Sequence, residues 1–500
     1  MASSTSTPTG LLDLPPELVT QVITESLPEG FESLALSCKA IHELCKPFIE
    51  HHNLLRSQFH RFRYGLLSTP EPQNPLWRPI RCAYTLLERI AEEPVVARYI
   101  QHADFALDGQ LSPPALACLD HGGPVATLLA DSPYLRDAGF CWREYLAFIA
   151  ADYAKHQNFS LHAAAFVLTL LPNLKSLKLP DDWDPGESRY CDDWEYSSDK
   201  LIKTIVSKAR QSSTTQQYGS SLAQVTIFES LEIWHPCDKS YKISLFFGLP
   251  KLRNYNGPLP EAIRASSPGD DVGGERLETA VMWSRRSKET ALADILRSTR
   301  RLRTLVYHSD RTPLDDEDWD FCNFLQILER ASGSRLERLC VSLGGAMKPG
   351  HVSLRGFQRL RKLQLPFECI RCIVSYAASR INKTVEDFTD TDVETLEVKL
   401  GDLIPASLIE LELRDIWPYR DHGKILNILF HGFGAMKASR LPALQKVVIH
   451  HYAEDMSPGC KVASEQLISE TKRHGVVLAI GSVAWYHNPE WHVQERSWYE

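Results

Sequence analysis

Apolar residues near the start of the chain recur at helical spacing. After Pro15 and Pro16, which suit a helix start because a missing N–H costs nothing in the first turn, Leu18, Val22 and Ile23 follow on one face. Leu27-Pro28-Glu29-Gly30 interrupts the stripe. Phe31, Leu34, Cys38 and Ile41 then resume it, and Leu44, Cys45 and Phe48 extend it around Pro47. The spacing predicts three short helices between residues 11 and 48. So small a unit buries little apolar surface by itself, which implies a partner surface. Tyr84, Leu87 and Ile90 carry one more helical stripe within residues 56 to 93.

From residue 94 onward the pattern changes to a repeated L-x-x-L-x-L. Clear copies start at Leu174, Leu360 and Leu408, and their central leucines are Leu177, Leu363 and Leu411. Conservative copies are Leu222-x-x-Val225-x-Ile227, Leu302-x-x-Leu305-x-Tyr307, Leu336-x-x-Leu339-x-Val341 and Leu444-x-x-Val447-x-Ile449. Weaker ones are Ile100-x-x-Ala103-x-Phe105, Leu252-x-x-Tyr255 and Leu277-x-x-Ala280-x-Met282. Helical stripes stand between them at 162–170, 291–296 and Phe321, Phe324, Leu325, Leu328. One short strand plus one helix cannot bury its own apolar side and must stack on its neighbours. The pattern therefore predicts parallel strands at 177–179, 225–227, 305–307, 339–341, 363–365, 411–413 and 447–449. Residues 254 to 275 and 385 to 400 read as insertion loops.

Both patterns carry family resemblances. Leu14-Pro15-Pro16-Glu17-Leu18, then Leu27-Pro28, then Leu34-Ala35-Leu36-Ser37-Cys38-Lys39 resembles an F-box, with Gly30-Phe31 where that family commonly has Asp-Leu. The repeated pattern resembles leucine-rich repeats, and the whole layout is similar to fungal F-box proteins with irregular leucine-rich repeats. The resemblance implies an α/β fold: a disordered lead (1–10), a small F-box-like helical unit (11–50), a helical linker (51–93) and a leucine-rich-repeat solenoid with a parallel sheet and a C-terminal cap (94–500). It further implies a substrate-recognition adaptor of a Skp-cullin-F-box ubiquitin ligase. In that reading Leu14, Pro15, Leu18, Val22, Leu34 and Ile41 dock the Skp adaptor, which links to the cullin scaffold, and the repeats hold a protein substrate. Two rival readings are a scaffold or regulator bound to the adaptor without ligase output, and a hydrolase or transferase with an unfamiliar site.

Strand alternation locates the candidate target-binding face. If the repeat leucines point inward, the residues beside each central position point outward. Lys178, Thr226, Arg338, Lys362, Glu410 and Glu412 are the candidates, together with Val306, Cys340 and Gln364. Basic Arg338 and Lys362 give way to acidic Glu410 and Glu412, which suits a protein ligand of mixed polarity. The whole chain carries 55 basic and 63 acidic residues, a formal charge of -8, so nothing recommends a nucleic-acid or anionic-membrane partner. The longest unbroken apolar run, Tyr145 to Ala151, is seven residues, whereas a membrane span needs about 20.

Candidate chemistry is sparse. No G-x-S-x-G, G-x-x-x-x-G-K-[ST] or H-E-x-x-H occurs, and no cofactor or metal is expected. The twelve cysteines have no even framework, which points to reduced thiols in cytoplasm or nucleus. Cys369 and Cys372 form the one C-x-x-C and, lacking a second pair nearby, read as buried thiols. His51-His52 and His450-His451 read as surface histidines. Asp182-Trp183-Asp184, Asp193-Trp194-Glu195 and Asp318-Trp319-Asp320 read as helix caps, and the aromatic residues from Trp485 to Tyr499 as the cover of a last repeat near Val476 to Ile480.

Overall fold

The computed structural model describes residues 11–65, 80–108, 123–156, 159–180, 195–215, 220–230, 243–259, 274–284, 289–310, 320–344, 350–385, 398–414, 422–451 and 458–482. Helix α1 (Pro16–Glu25) has its proline in the first turn, where no hydrogen bond is lost. Short α2 (Phe31–Ala35) follows, and α3 (Lys39–Phe59) starts where the Cys38 sulfur accepts the Ile41 N–H at 3.5 Å. Val19, Ile23, Leu27, Phe31, Ala35, Ile41 and Cys45 form the core of these three helices, with Leu14, Leu34 and Phe48 packed at its margin.

The segment read as a helical linker contains a strand. Helix α3 runs past residue 50, and β1 (Arg61–Arg63) follows it directly. Phe59, Phe62 and Tyr64 are all buried and take the spacing of the repeat leucines with aromatic rings, so a search for leucines passes over them. Phe62 stands 6.0 Å from Phe105 and 5.1 Å from Tyr64 between ring centroids.

Next come α4 (Ala83–Glu92), α5 (Val95–Tyr99), β2 (His102–Asp104), α6 (Pro124–Asp131), α7 (Pro133–Asp137), α8 (Trp142–His156), α9 (Leu161–Val167), β3 (Ser176–Leu179), α10 (Glu195–Thr215) and β4 (Ile227–Ser230). The four strands pair in chain order, all parallel, with Phe62, Ala103, Leu177 and Phe228 in register. Helix α4 packs on α6 and α9, and α8 on α9. Parallel neighbours require a crossover, and these helices supply it.

One register expectation is corrected here. Phe228, not Val225, pairs with Leu177. Val225 fills the first apolar position instead, and Leu222 sits before it with a left-handed φ of 61°. The final apolar position is occupied by buried Ser230, so matching three leucine-like residues placed the central position three residues too early.

The chain divides into two compact units, residues 1–253 and 254–500. The second contains β5 (Asn254–Pro258), β6 (Thr279–Ser284), α11 (Glu289–Ser298), β7 (Thr304–Asp310), α12 (Phe321–Ser332), β8 (Arg338–Gly344), β9 (Lys362–Pro366), α13 (Phe367–Ser379), α14 (Leu400–Leu403), β10 (Glu410–Arg414), α15 (His422–Phe430), α16 (Phe433–Ser439), β11 (Lys446–His451), α17 (Pro458–Arg473) and β12 (Val477–Ser482). Its eight strands also pair in chain order. The central positions Ala280, Leu305, Leu339, Leu363, Leu411 and Val447 are all buried and in register across parallel ladders. The expected insertion loop at 254–275 begins with β5, because Tyr255 alone supplies the central apolar side chain and pairs with Ala280. Gly475 turns α17 into β12 with φ 73°, a left-handed conformation that favours glycine. Each unit is thus a repeat-like parallel α/β structure.

Candidate interaction surfaces

Helix α1 buries a stripe one position away from the expected one. Val19 and Ile23 face the core, which leaves Leu18 46% and Val22 38% exposed. Pro15 is exposed, while Leu14 and Leu34 are half-buried. Ile41 is corrected: at 3% exposure it belongs to the core and cannot itself touch a partner. Leu12, Leu36 and Leu44 are also exposed and were missed, since periodicity gives a stripe but not which of two adjacent stripes faces inward. Among the described residues, five of the eight exposed large apolar side chains lie between positions 12 and 44. Of these, Leu18 and Val22 are one helical turn apart and share an exposed face of α1.

These helices are fastened to the structure that follows them. Arg98 on α5 pairs with Glu29 at 2.6 Å and donates to the Glu25 carbonyl at 3.3 Å. The Asn173 amide donates to the Arg98 carbonyl at 2.7 Å and also reaches Glu29. His51 pairs with Glu93 at 2.6 Å. His52, expected at the surface, is buried: its Nδ1 is 2.7 Å from the Tyr99 hydroxyl, its ring is 4.7 Å from Phe31, and burial lowers its pKa.

The expected outward strand positions form charge rows across neighbouring strands. Asp104 lies between Arg63 at 3.7 Å and Lys178 at 3.9 Å, and Lys178 is mostly covered. Thr226 precedes β4, where its hydroxyl donates to the Lys175 carbonyl at 3.2 Å. In the second unit Glu410 lies between Lys362 at 2.9 Å and Lys446 at 2.8 Å. Burial raises the Glu410 carboxyl, but the hydrogen bonds and charges of these lysines outweigh it and lower the pKa. Glu412 meets Arg414 at 2.6 Å and His450 at 3.0 Å. Its burial is outweighed in the same way by His450 and Arg414, which hold the carboxyl down at about 2. Arg338 is half-buried and stands in register with exposed Lys362.

Three neighbours on this face are not solvent-facing as expected. Val306 and Cys340 are buried with Val281 in a cluster of their own, and Gln364 is 6% exposed. Alternation puts them opposite the leucines as expected, but Val281, Val306 and Cys340 stand in register on neighbouring strands and are buried together. Periodicity reports the side of a strand and not its cover.

The clearest cluster of catalytic residue types is wired as a helix cap. Ser160 donates to Asp152 at 2.8 Å and accepts the Ala163 N–H at 3.1 Å, while the His162 ring and backbone N–H reach the same carboxylate oxygen at 2.8 and 3.1 Å. The hydroxyl therefore faces an acceptor and not an imidazole base, unlike an activated nucleophile. Burial raises the Asp152 carboxyl, and the bonds from His162 and Ser160 outweigh it, so its pKa is lowered. Cys369 and Cys372 are buried thiols on α13, and burial pushes both up, Cys372 to about 12. Among the described residues no group of three or more His, Cys, Asp or Glu could hold a metal ion, and no helix is long and apolar enough to cross a membrane. Asp320 does cap α12, accepting the Asn323 N–H at 2.8 Å. The expected caps at Asp182 to Asp184, and the aromatic residues from Trp485 to Tyr499, lie outside the described residues. Comparison with protein-family models and with curated proteins finds no match to this chain.

Proposed function

We propose that this chain is a substrate-recognition adaptor of a Skp-cullin-F-box ubiquitin ligase. The observation that carries the reading is the exposed apolar set Leu12, Leu18, Val22, Leu36 and Leu44 on a helical unit whose sequence order resembles an F-box. Leu18 and Val22 are one helical turn apart and share a face, suited to docking the Skp adaptor and through it the cullin scaffold. The parallel repeats beyond it offer mixed-charge rows for a protein substrate. The chemistry in this reading is positional: a target held near a charged ubiquitin-conjugating enzyme presents its lysines at high effective concentration, and no residue of this chain touches the reacting bond.

The test is binding of the purified full-length chain to the purified Skp adaptor, with Leu18→Asp as the variant. Loss of binding with an unchanged melting temperature supports the reading. Unchanged affinity in the folded variant, or no binding by the unaltered chain, contradicts it. Adaptor binding without turnover of a bound target would favour the scaffold reading.

A further inference from the structure

The turns entering β6 to β9 are tied together by their backbones. Arg303 N–H donates to the Glu278 carbonyl at 2.9 Å, Glu337 N–H to Arg303 at 2.8 Å, and Arg361 N–H to Glu337 at 2.8 Å. These bonds set the side chains of successive turns next to one another at strand spacing. A cleft of about 420 Å³ opens at this edge, lined by Glu278, Arg303 and Glu337 and completed by Arg300, Arg301, Arg335 and Arg359. Arginines outnumber acids five to two in that lining, in a chain whose overall charge is -8.

Among the described residues, little answers this charge. Glu337 lies 3.6 Å from Arg303. Arg335 donates one amino group to the Leu296 carbonyl, at the end of α11, but its Nε is buried with no hydrogen-bond partner. Burial lowers the Arg335 pKa. Arg300, Arg301 and Arg359 are exposed, and among the described residues none has a side-chain partner. A cleft lined by one sign of charge concentrates the opposite sign, and guanidinium forks match carboxylates and phosphates in pairs.

We propose that this cleft binds an acidic segment of a polypeptide. Three inter-strand steps of about 4.8 Å span roughly 14 Å, room for about four residues of an extended chain. Glu278 and Glu337 in the lining can accept the backbone N–H groups of a peptide, donors that a phosphodiester backbone does not offer. The assignment extends the reading of the repeats as a protein-binding surface and is independent of the adaptor.

Fluorescence anisotropy of the full-length chain with a labelled oligoglutamate peptide tests it, with the same peptide bearing phosphoserines, an oligolysine peptide and a single-stranded oligouridylate as the other arms. Oligoglutamate should bind, more weakly as salt rises, and phosphoserine should tighten it. Combined Arg300→Glu, Arg301→Glu and Arg359→Glu should weaken binding by at least about tenfold, the loss of one charge-assisted hydrogen bond or more. The Gln triple variant should weaken it in the same direction, and both should keep the melting temperature and the adaptor binding of the unaltered chain. No binding of oligoglutamate, equal binding by the triple variants, equal binding of oligolysine, or tighter binding of oligouridylate would overturn the proposal. Loss of adaptor binding with the peptide effect intact would count against the adaptor reading alone.

Discussion

Glu412 shows how a surface-looking position becomes structural. Alternation alone marks it as outward-facing, yet Arg414 and His450 close around it and hold its carboxyl at about 2, below the ordinary 4.5. A depressed folded pKa adds stability above the unfolded value, and this contribution is lost as pH falls through the folded one. Thermal melts of the unaltered chain and Glu412→Gln should therefore differ by on the order of 2 to 3 kcal/mol at pH 7. The difference should shrink below pH 4.5 and vanish near 2. A difference constant across that window would show that the carboxylate's charge contributes nothing. Lys362 contrasts with it: more than half exposed and paired with Glu410, it should tolerate Lys362→Glu at a cost of about 1 kcal/mol or less. Its neighbour Leu363→Ala should cost about 2 to 5 kcal/mol by leaving a cavity. Equal damage from the two, read from denaturant melts, would mean that the strand faces are reversed.

At the level of elements, strands with leucine or valine at the centre were legible, those centred on Ala103, Tyr255 and Ala280 gave only weak copies of the pattern, and those centred on Phe62 and Phe228 were not read at those centres. Leu305, Leu339, Leu363, Leu411 and Val447 occupy the expected positions because an aliphatic side chain at each fixed step satisfies both the turn and the core. Phe62 and Phe228 do the same work with aromatic rings, so β1 escaped notice and β4 was read out of register. The correction has its own test: Phe228→Ala should cost about 3 to 5 kcal/mol, and Thr226→Ala, ahead of the strand, within about 0.5. The reverse order in melting experiments would favour Val225 as the central position. The candidate surfaces were legible in part. Sequence order singled out the N-terminal helices, but only packing shows Val19 and Ile23 inward and Leu18 and Val22 outward. The arginine cleft was missed because its residues lie in turns, where hydrophobic periodicity is silent.

For the whole molecule, the function proposed above requires that the N-terminal helices keep Leu18 and Val22 exposed while being held in place. Arg98, Asn173, His51 and His52 hold them, while Leu18 and its exposed neighbours stay uncovered. Two substitutions separate these roles. Ile41→Asp buries a charge in the core of the unit and should lower the melting temperature together with any binding. Leu18→Asp should leave folding intact. The most direct measurement is calorimetric titration of the purified Skp adaptor into the full-length chain and its Leu18→Asp variant, with thermal melts of both. The expected result is binding by the unaltered chain, lost in a variant that melts at the same temperature. Equal binding by both would contradict the assignment of this face to the adaptor.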